Sequence, residues 1–230
     1  MKKGILLRVP ALFMASLLLF CACAKKPQTL TYSDGAYRNE AENVSFCKAS
    51  MNYRAQSIIP GTVIFNASRS SKHEPTPLYA IEGLSTSDFL TDESFTLYHS
   101  SAITLPTLSD MDPSAIYMRV SGDPTGSLMG HIGEDRKDAI DDLLDILENG
   151  TSHPGSKIAV APTECYELLF ESKAYPGFFF VLEYWTYNES VKHIDETGEI
   201  EVKKGIVYDI ETDRFYVMGE ILEGYFNSAE

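Results

Sequence analysis

The chain has 230 residues, 44% of them hydrophobic, which is enough to build the core of one large domain or two small ones. With 33 acidic against 19 basic side chains its net charge is −14, and the balance becomes more acidic still once the cations near the N-terminus are set aside. Such a surface repels phosphate backbones, so no nucleic-acid partner is expected.

Residues 1 to 8 carry three cations, Lys2, Lys3 and Arg8, and no acid. The apolar run that follows, Val9 to Ala24, is about 16 residues long and contains Pro10, short of the roughly 20 residues that span a bilayer. A basic start, a brief apolar middle (ALFMASLLLF) and small residues at its end describe a secretory signal peptide, residues 1–22. No polar face recurs at helical spacing, so a buried N-terminal helix is not expected there.

The junction reads LLLFCACAKK. Ala22 stands immediately before Cys23, while bulky Phe20 stands immediately before Cys21, and a scissile bond needs a small neighbour. With that spacing the stretch resembles the signal of bacterial lipoproteins, although Phe20 occupies a position where leucine is usual. The resemblance implies cleavage before Cys23, a diacylglycerol on its sulfur and a stable mooring to the outside of a membrane. It covers only the leader and implies nothing about the body.

Residues 23–40 (to AKKPQTLTYSDGAYRNE) are polar and turn-rich and read as anchor and linker. Residues 41–128 form a β-rich N-terminal half, with SIIPGTVIF, PLYAIEGL, SFTLYHS and AIYMRV as short extended runs between turns. SGDPTGSLMGHIGED, with Gly122, Gly126, Gly130 and Gly133, reads as a flexible connection: it lacks the Gly-Lys-Ser/Thr ending of a phosphate loop, and the helix after it opens with acids. In EDRKDAIDDLLDILENG, Ile140, Leu143, Leu144 and Leu147 make one apolar stripe, with Asn149-Gly150 as a left-handed stop. The strands TECYELLFES and FFFVLEYWTY follow, then a polar loop NESVKHIDETG, then EIEVKKGIVYDI and DRFYVM. Residues 129–230 therefore read as one amphipathic helix packed on a C-terminal, antiparallel sheet of about four strands, and the fold class as α+β, mostly antiparallel.

Cys47 and Cys165 are the only cysteines of the body, and in an oxidising compartment they form either a disulfide or two small buried side chains. The five histidines show no metal-ligand spacing: His73, His131, His153 and His193 fall in polar stretches and His99 ends a strand, so no metal and no cofactor is expected. Gly83-Leu84-Ser85-Thr86-Ser87 lacks the second glycine of a nucleophile elbow. Asp138, Asp141, Asp142 and Asp145 line the outer face of a straight helix, which cannot wrap a calcium ion.

The most unusual composition is the aromatic strand 178–187. Phe179, Glu183, Trp185 and Tyr187 share one face of it, and an open aromatic face with a carboxylate is a surface for a sugar, a peptide or a protein. The reading is an exported, lipid-anchored envelope protein that acts by binding. Two alternatives stand beside it: an envelope hydrolase of glycans or peptidoglycan using Glu167 and Glu183, and a structural or inhibitory envelope protein.

Overall fold

The computed structural model describes residues 27–70, 72–122, 128–195, 198–218 and 222. The leader, Cys23 and the lipid anchor expected on it lie outside these residues.

Two β structures, the first with a core of its own, meet at a second apolar cluster. The first is a closed barrel of β1 (Gln28–Ser33), β2 (Ala36–Asn39), β3 (Val44–Lys48), β5 (Val63–Ser68), β6 (Thr76–Tyr79), β7 (Phe89–Thr91) and β8 (Leu97–Ser100). Neighbours run antiparallel except at the seam, where β1 closes in parallel on β5 with Leu30 opposite Ala67. Leu30, Phe46, Leu78 and Leu90 fill the barrel, so it is a packed core and not a pore.

The linker expected over residues 23–40 is corrected here, because 28–33 and 36–39 are the first barrel hairpin. Asp34 and Gly35 both take positive φ, 51° and 81°, the geometry of a tight two-residue hairpin turn. Once Leu30, Ala36 and Tyr37 are buried, the polar residues around them are simply the outer face of two strands.

The second structure is an eight-stranded sheet in the order β10 (Leu128–Ile132), β9 (Ala115–Val120), β12 (Glu164–Glu171), β13 (Phe178–Thr186), β16 (Gly205–Asp209), β17 (Arg214–Val217) and β11 (Ser152–Pro154). Its eighth strand, β4 (Tyr53–Ala55), comes from the N-terminal half and pairs with the start of β13. The α+β class holds, with one main helix, but the C-terminal sheet of four strands does not. The reason is the length of β13: Phe178–Phe180 pair with β4, while Glu183–Thr186 pair with β16. One long apolar strand thus ties both halves of the chain together.

Alternation sorts the faces. Tyr166, Leu168 and Phe170 on β12 stand opposite Tyr184, Leu182 and Phe180 on β13, and this face packs on helix α2 (Lys137–Asn149) through Ala139, Ile140 and Leu143. A short helix α1 (Leu108–Met111) adds the buried Met111 to the same core, which also takes in Ala49, Ile81 and Leu97 beside the barrel. The four aspartates of α2 are exposed.

Three local expectations change. Gly150 ends α2 with φ −72°, so it is not a left-handed stop; a Cβ there would lie 2.3 Å from the Ile146 carbonyl oxygen, which accepts the Gly150 N–H. Residues 128–132, expected in a flexible connection, form the edge strand β10. The polar loop expected at 188–198 contains β14 (Val191–Asp195), which pairs with β15 (Gly198–Val202). That hairpin covers Tyr187, Ile206 and Phe215 at one end of the second sheet face.

Candidate functional site

On the face of the sheet away from α2, register sets four chemically active side chains in a row. Arg119 on β9 stands opposite Glu167 on β12, Glu167 opposite Glu183 on β13, and Glu183 opposite Tyr208 on β16. Above them Arg54 arrives on β4, whose backbone also bridges to Thr96 at the barrel.

Glu167 is only 5% exposed, and a carboxylate at that depth costs several kcal/mol unless it is paired and hydrogen-bonded. It is paired twice. Arg119 donates to Oε2 through Nη2 at 2.6 Å and through Nε at 3.0 Å. Arg54 donates from Nη1 to both oxygens, at 2.6 and 2.8 Å. Two guanidinium groups for one carboxylate leave an excess positive charge, and the neighbouring Glu183 balances it.

Glu183 is half-buried. One of its oxygens accepts the Trp185 indole N–H at 2.7 Å, and the other accepts the Ser121 hydroxyl at a long 3.4 Å. Trp185 lies against the Tyr208 ring with centroids 4.8 Å apart. Tyr208 donates to Asp213 at 2.7 Å, and burial together with that carboxylate pushes its phenol up to about 12. It therefore stays a neutral donor across the physiological range.

A cavity of about 190 Å³ opens over this row, between sheet and barrel. Its sheet wall includes Arg54, Glu167, Glu183 and Tyr208, and its barrel wall includes Lys48 and the turn Ser94–Thr96. The walls are tied in place. Asn52, in the β3–β4 connection, donates to Asp209 at 2.8 Å, and its carbonyl accepts the Val181 N–H at 2.7 Å. Opposite, Asp92 accepts the backbone N–H of Ser94 at 2.9 Å and of Thr96 at 3.0 Å, holding a turn in which Phe95 has φ 60°. A bulky residue rarely adopts that conformation, and here the Phe95 carbonyl is fixed as well, accepting the Ala55 N–H at 3.0 Å. The strained aromatic sits at the cavity wall.

Of the four residues expected to form an open aromatic face, only Glu183 lines the cavity. Phe179 is half-buried against Tyr117 at 6.1 Å, and half-buried Trp185 acts through Glu183 and Tyr208. Tyr187 is buried beneath the β14–β15 hairpin, edge-on to His193 at 5.8 Å, and burial pushes its phenol up to about 12. The expected face is thus split into a core end and a charged, accessible end. The sequence reading missed Arg54, Arg119 and Lys48. Arg119 did leave a signal, a lone cation inside the apolar run AIYMRV, but its partner on β12 is distant in sequence.

Cys47 on β3 and Cys165 on β12 are both free thiols. They stand in different sheets, Cys47 opposite His99 and Cys165 opposite Trp185, and the disulfide is not formed. Burial raises the Cys165 thiol further, with the Glu183 charge adding to the effect. No cluster of histidine, cysteine or carboxylate groups with metal-site geometry occurs among the described residues. His153 and His193, expected in solvent, are buried. His193 Nδ1 accepts the Ala159 N–H at 2.9 Å, and burial lowers its basicity, so it is a neutral structural imidazole.

No family model matches this chain, and no curated protein or solved structure matches it either. No helix among the described residues is long and apolar enough to cross a membrane.

Proposed function

We propose that the chain is an exported lipoprotein of a bacterial envelope, moored through a diacylated Cys23, whose body binds a small molecule, peptide or glycan without turning it over. The anchor rests on the leader alone. The binding reading rests on one observation: a cavity of about 190 Å³ between barrel and sheet, with Arg54, Glu167 and Glu183 held by hydrogen bonds at its wall. Pockets with a few convergent polar groups on a preformed frame are the usual form of a ligand site.

The hydrolase alternative has less support. Glu167 and Glu183 are neighbours on adjacent strands of one face, not partners across a groove, and both Glu167 oxygens are held by arginines. A carboxylate clamped in this way is a poor proton shuttle or nucleophile.

The test has two arms. Mass spectrometry of the membrane-extracted protein should find Cys23 at the N-terminus carrying two acyl chains on a glyceryl thioether; Met1 still attached, or a bare Cys23, contradicts the anchor. Thermal melts against pools of amino acids, short peptides and sugars should show a saturable stabilisation that Lys48→Ala diminishes. Turnover of peptidoglycan or glycan, abolished in Glu183→Gln, would instead establish the hydrolase.

A further inference from the structure

We propose that the junction cavity takes a small zwitterion of the amino-acid class, its carboxylate on Lys48 and Arg54 and its ammonium on Glu183. This rests on the binding reading above and adds the chemistry of the ligand.

The cationic groups have capacity to spare. Lys48 is exposed at the end of β3 and forms no ion pair among the described residues. Arg54 is anchored to Glu167 through Nη1 alone, which leaves the hydrogens of Nε and Nη2 for an incoming acceptor. A guanidinium edge fits the two coplanar oxygens of a carboxylate. On the sheet wall, Glu183 has one oxygen committed to Trp185 and the other only loosely held by Ser121. A carboxylate accepts about four hydrogen bonds, so an ammonium group finds unoccupied positions there.

Charge and size narrow the class. The ionised side chains lining the cavity are Lys48, Arg54, Glu167 and Glu183, which cancel. A phosphate would set an anion against the open positions of Glu183, a diamine would set a cation against Lys48, and a neutral sugar would leave Lys48 without a counter-charge. A zwitterion meets both while remaining neutral. The cavity volume of about 190 Å³ compares with the roughly 150 Å³ that holds a benzene-sized molecule, so a single amino acid fits and a folded peptide does not. Met51, Phe95 and Ile210 supply apolar wall for an aliphatic side chain.

The experiment is calorimetric titration of the full chain, purified in detergent, with leucine, N-acetyl-leucine, leucinamide and glucose. Leucine should bind saturably, and blocking either end should weaken it about tenfold or more, the worth of one charge-assisted hydrogen bond. Lys48→Ala should weaken leucine and N-acetyl-leucine but spare leucinamide. Glu183→Gln should weaken leucine and leucinamide but spare N-acetyl-leucine. Cooperative melting confirms that each variant is folded. Equal affinity for the three leucine forms, or binding of glucose in their place, overturns the zwitterion and leaves the binding reading standing. Silence toward all four probes also overturns the zwitterion, and the binding reading falls with it only if the wider ligand pools are silent too.

Discussion

Replacing Glu167 by glutamine keeps the volume of the side chain and removes its charge, which isolates the electrostatics of the sheet face. The carboxylate accepts four hydrogen bonds from Arg54 and Arg119, and an amide offers one oxygen to two guanidinium groups while turning an N–H₂ toward one of them. Arg119 is 7% exposed, so its charge cannot turn to water for compensation. Removing one partner from a buried ion pair costs about 3–5 kcal/mol. At about 2–4 °C per kcal/mol for a chain of this size, the melting temperature should fall by roughly 6–20 °C. Urea unfolding followed by circular dichroism gives the free energy directly. Arg119→Met, tested alone and combined with Glu167→Gln, supplies the coupling: the double variant should lose less than the sum of the singles, because both changes break the same ion pair. A Glu167→Gln protein within about 0.5 kcal/mol of the wild type, the range of an unremarkable surface change, would refute the reasoning.

Three further outcomes are expected. Phe178→Ala, at a fully buried ring packed on Tyr53, Phe89 and Tyr175, should cost about 3–5 kcal/mol in urea melts, and Phe179→Ala on the half-open face clearly less; equal costs would contradict the assignment of faces. Burial holds the His193 pKa below its ordinary 6.5, so the unfolded chain binds the extra proton first. Stability from this group is complete above about 6.5 and declines as the pH falls toward the folded value; His193→Gln should flatten that part of the pH–stability curve, and an unchanged slope would contradict it. Gly205→Ala would set a Cβ 2.6 Å from the Tyr184 ring and 2.9 Å from the Trp185 carbonyl, so a loss of about 1–3 kcal/mol is expected, and a neutral melt would show that β13 and β16 pair less closely than described.

What could be read in advance followed the range of the interaction. The stripe of Ile140 and Leu143 and the alternation of β12 are local patterns, and each side chain went to the face its period assigned. The barrel hairpin was hidden because Tyr32 and Arg38 face outward, so its alternation looked like linker polarity; the Asp34-Gly35 pair was the legible clue. Only three residues long, β4 is defined by Phe178–Phe180 far along the chain, and no local pattern announces it. Arg54 depends on β4, so the clamp on Glu167 was out of reach for the same reason. His193 shows the opposite error: polar neighbours suggested solvent, while alternate residues of its strand face the core.

Tryptophan emission tests the proposed ligand site most directly. Trp185 is the chain's one tryptophan, and its indole N–H donates to Glu183, which lines the cavity. Any ligand that engages Glu183 must alter the surroundings of that indole. Titrating the folded chain with amino acids, short peptides and sugars should give at least one saturable shift in emission that Glu183→Gln removes and Lys48→Ala weakens. Emission unmoved by every ligand, or moved equally in both variants, would contradict a binding site at the junction of barrel and sheet.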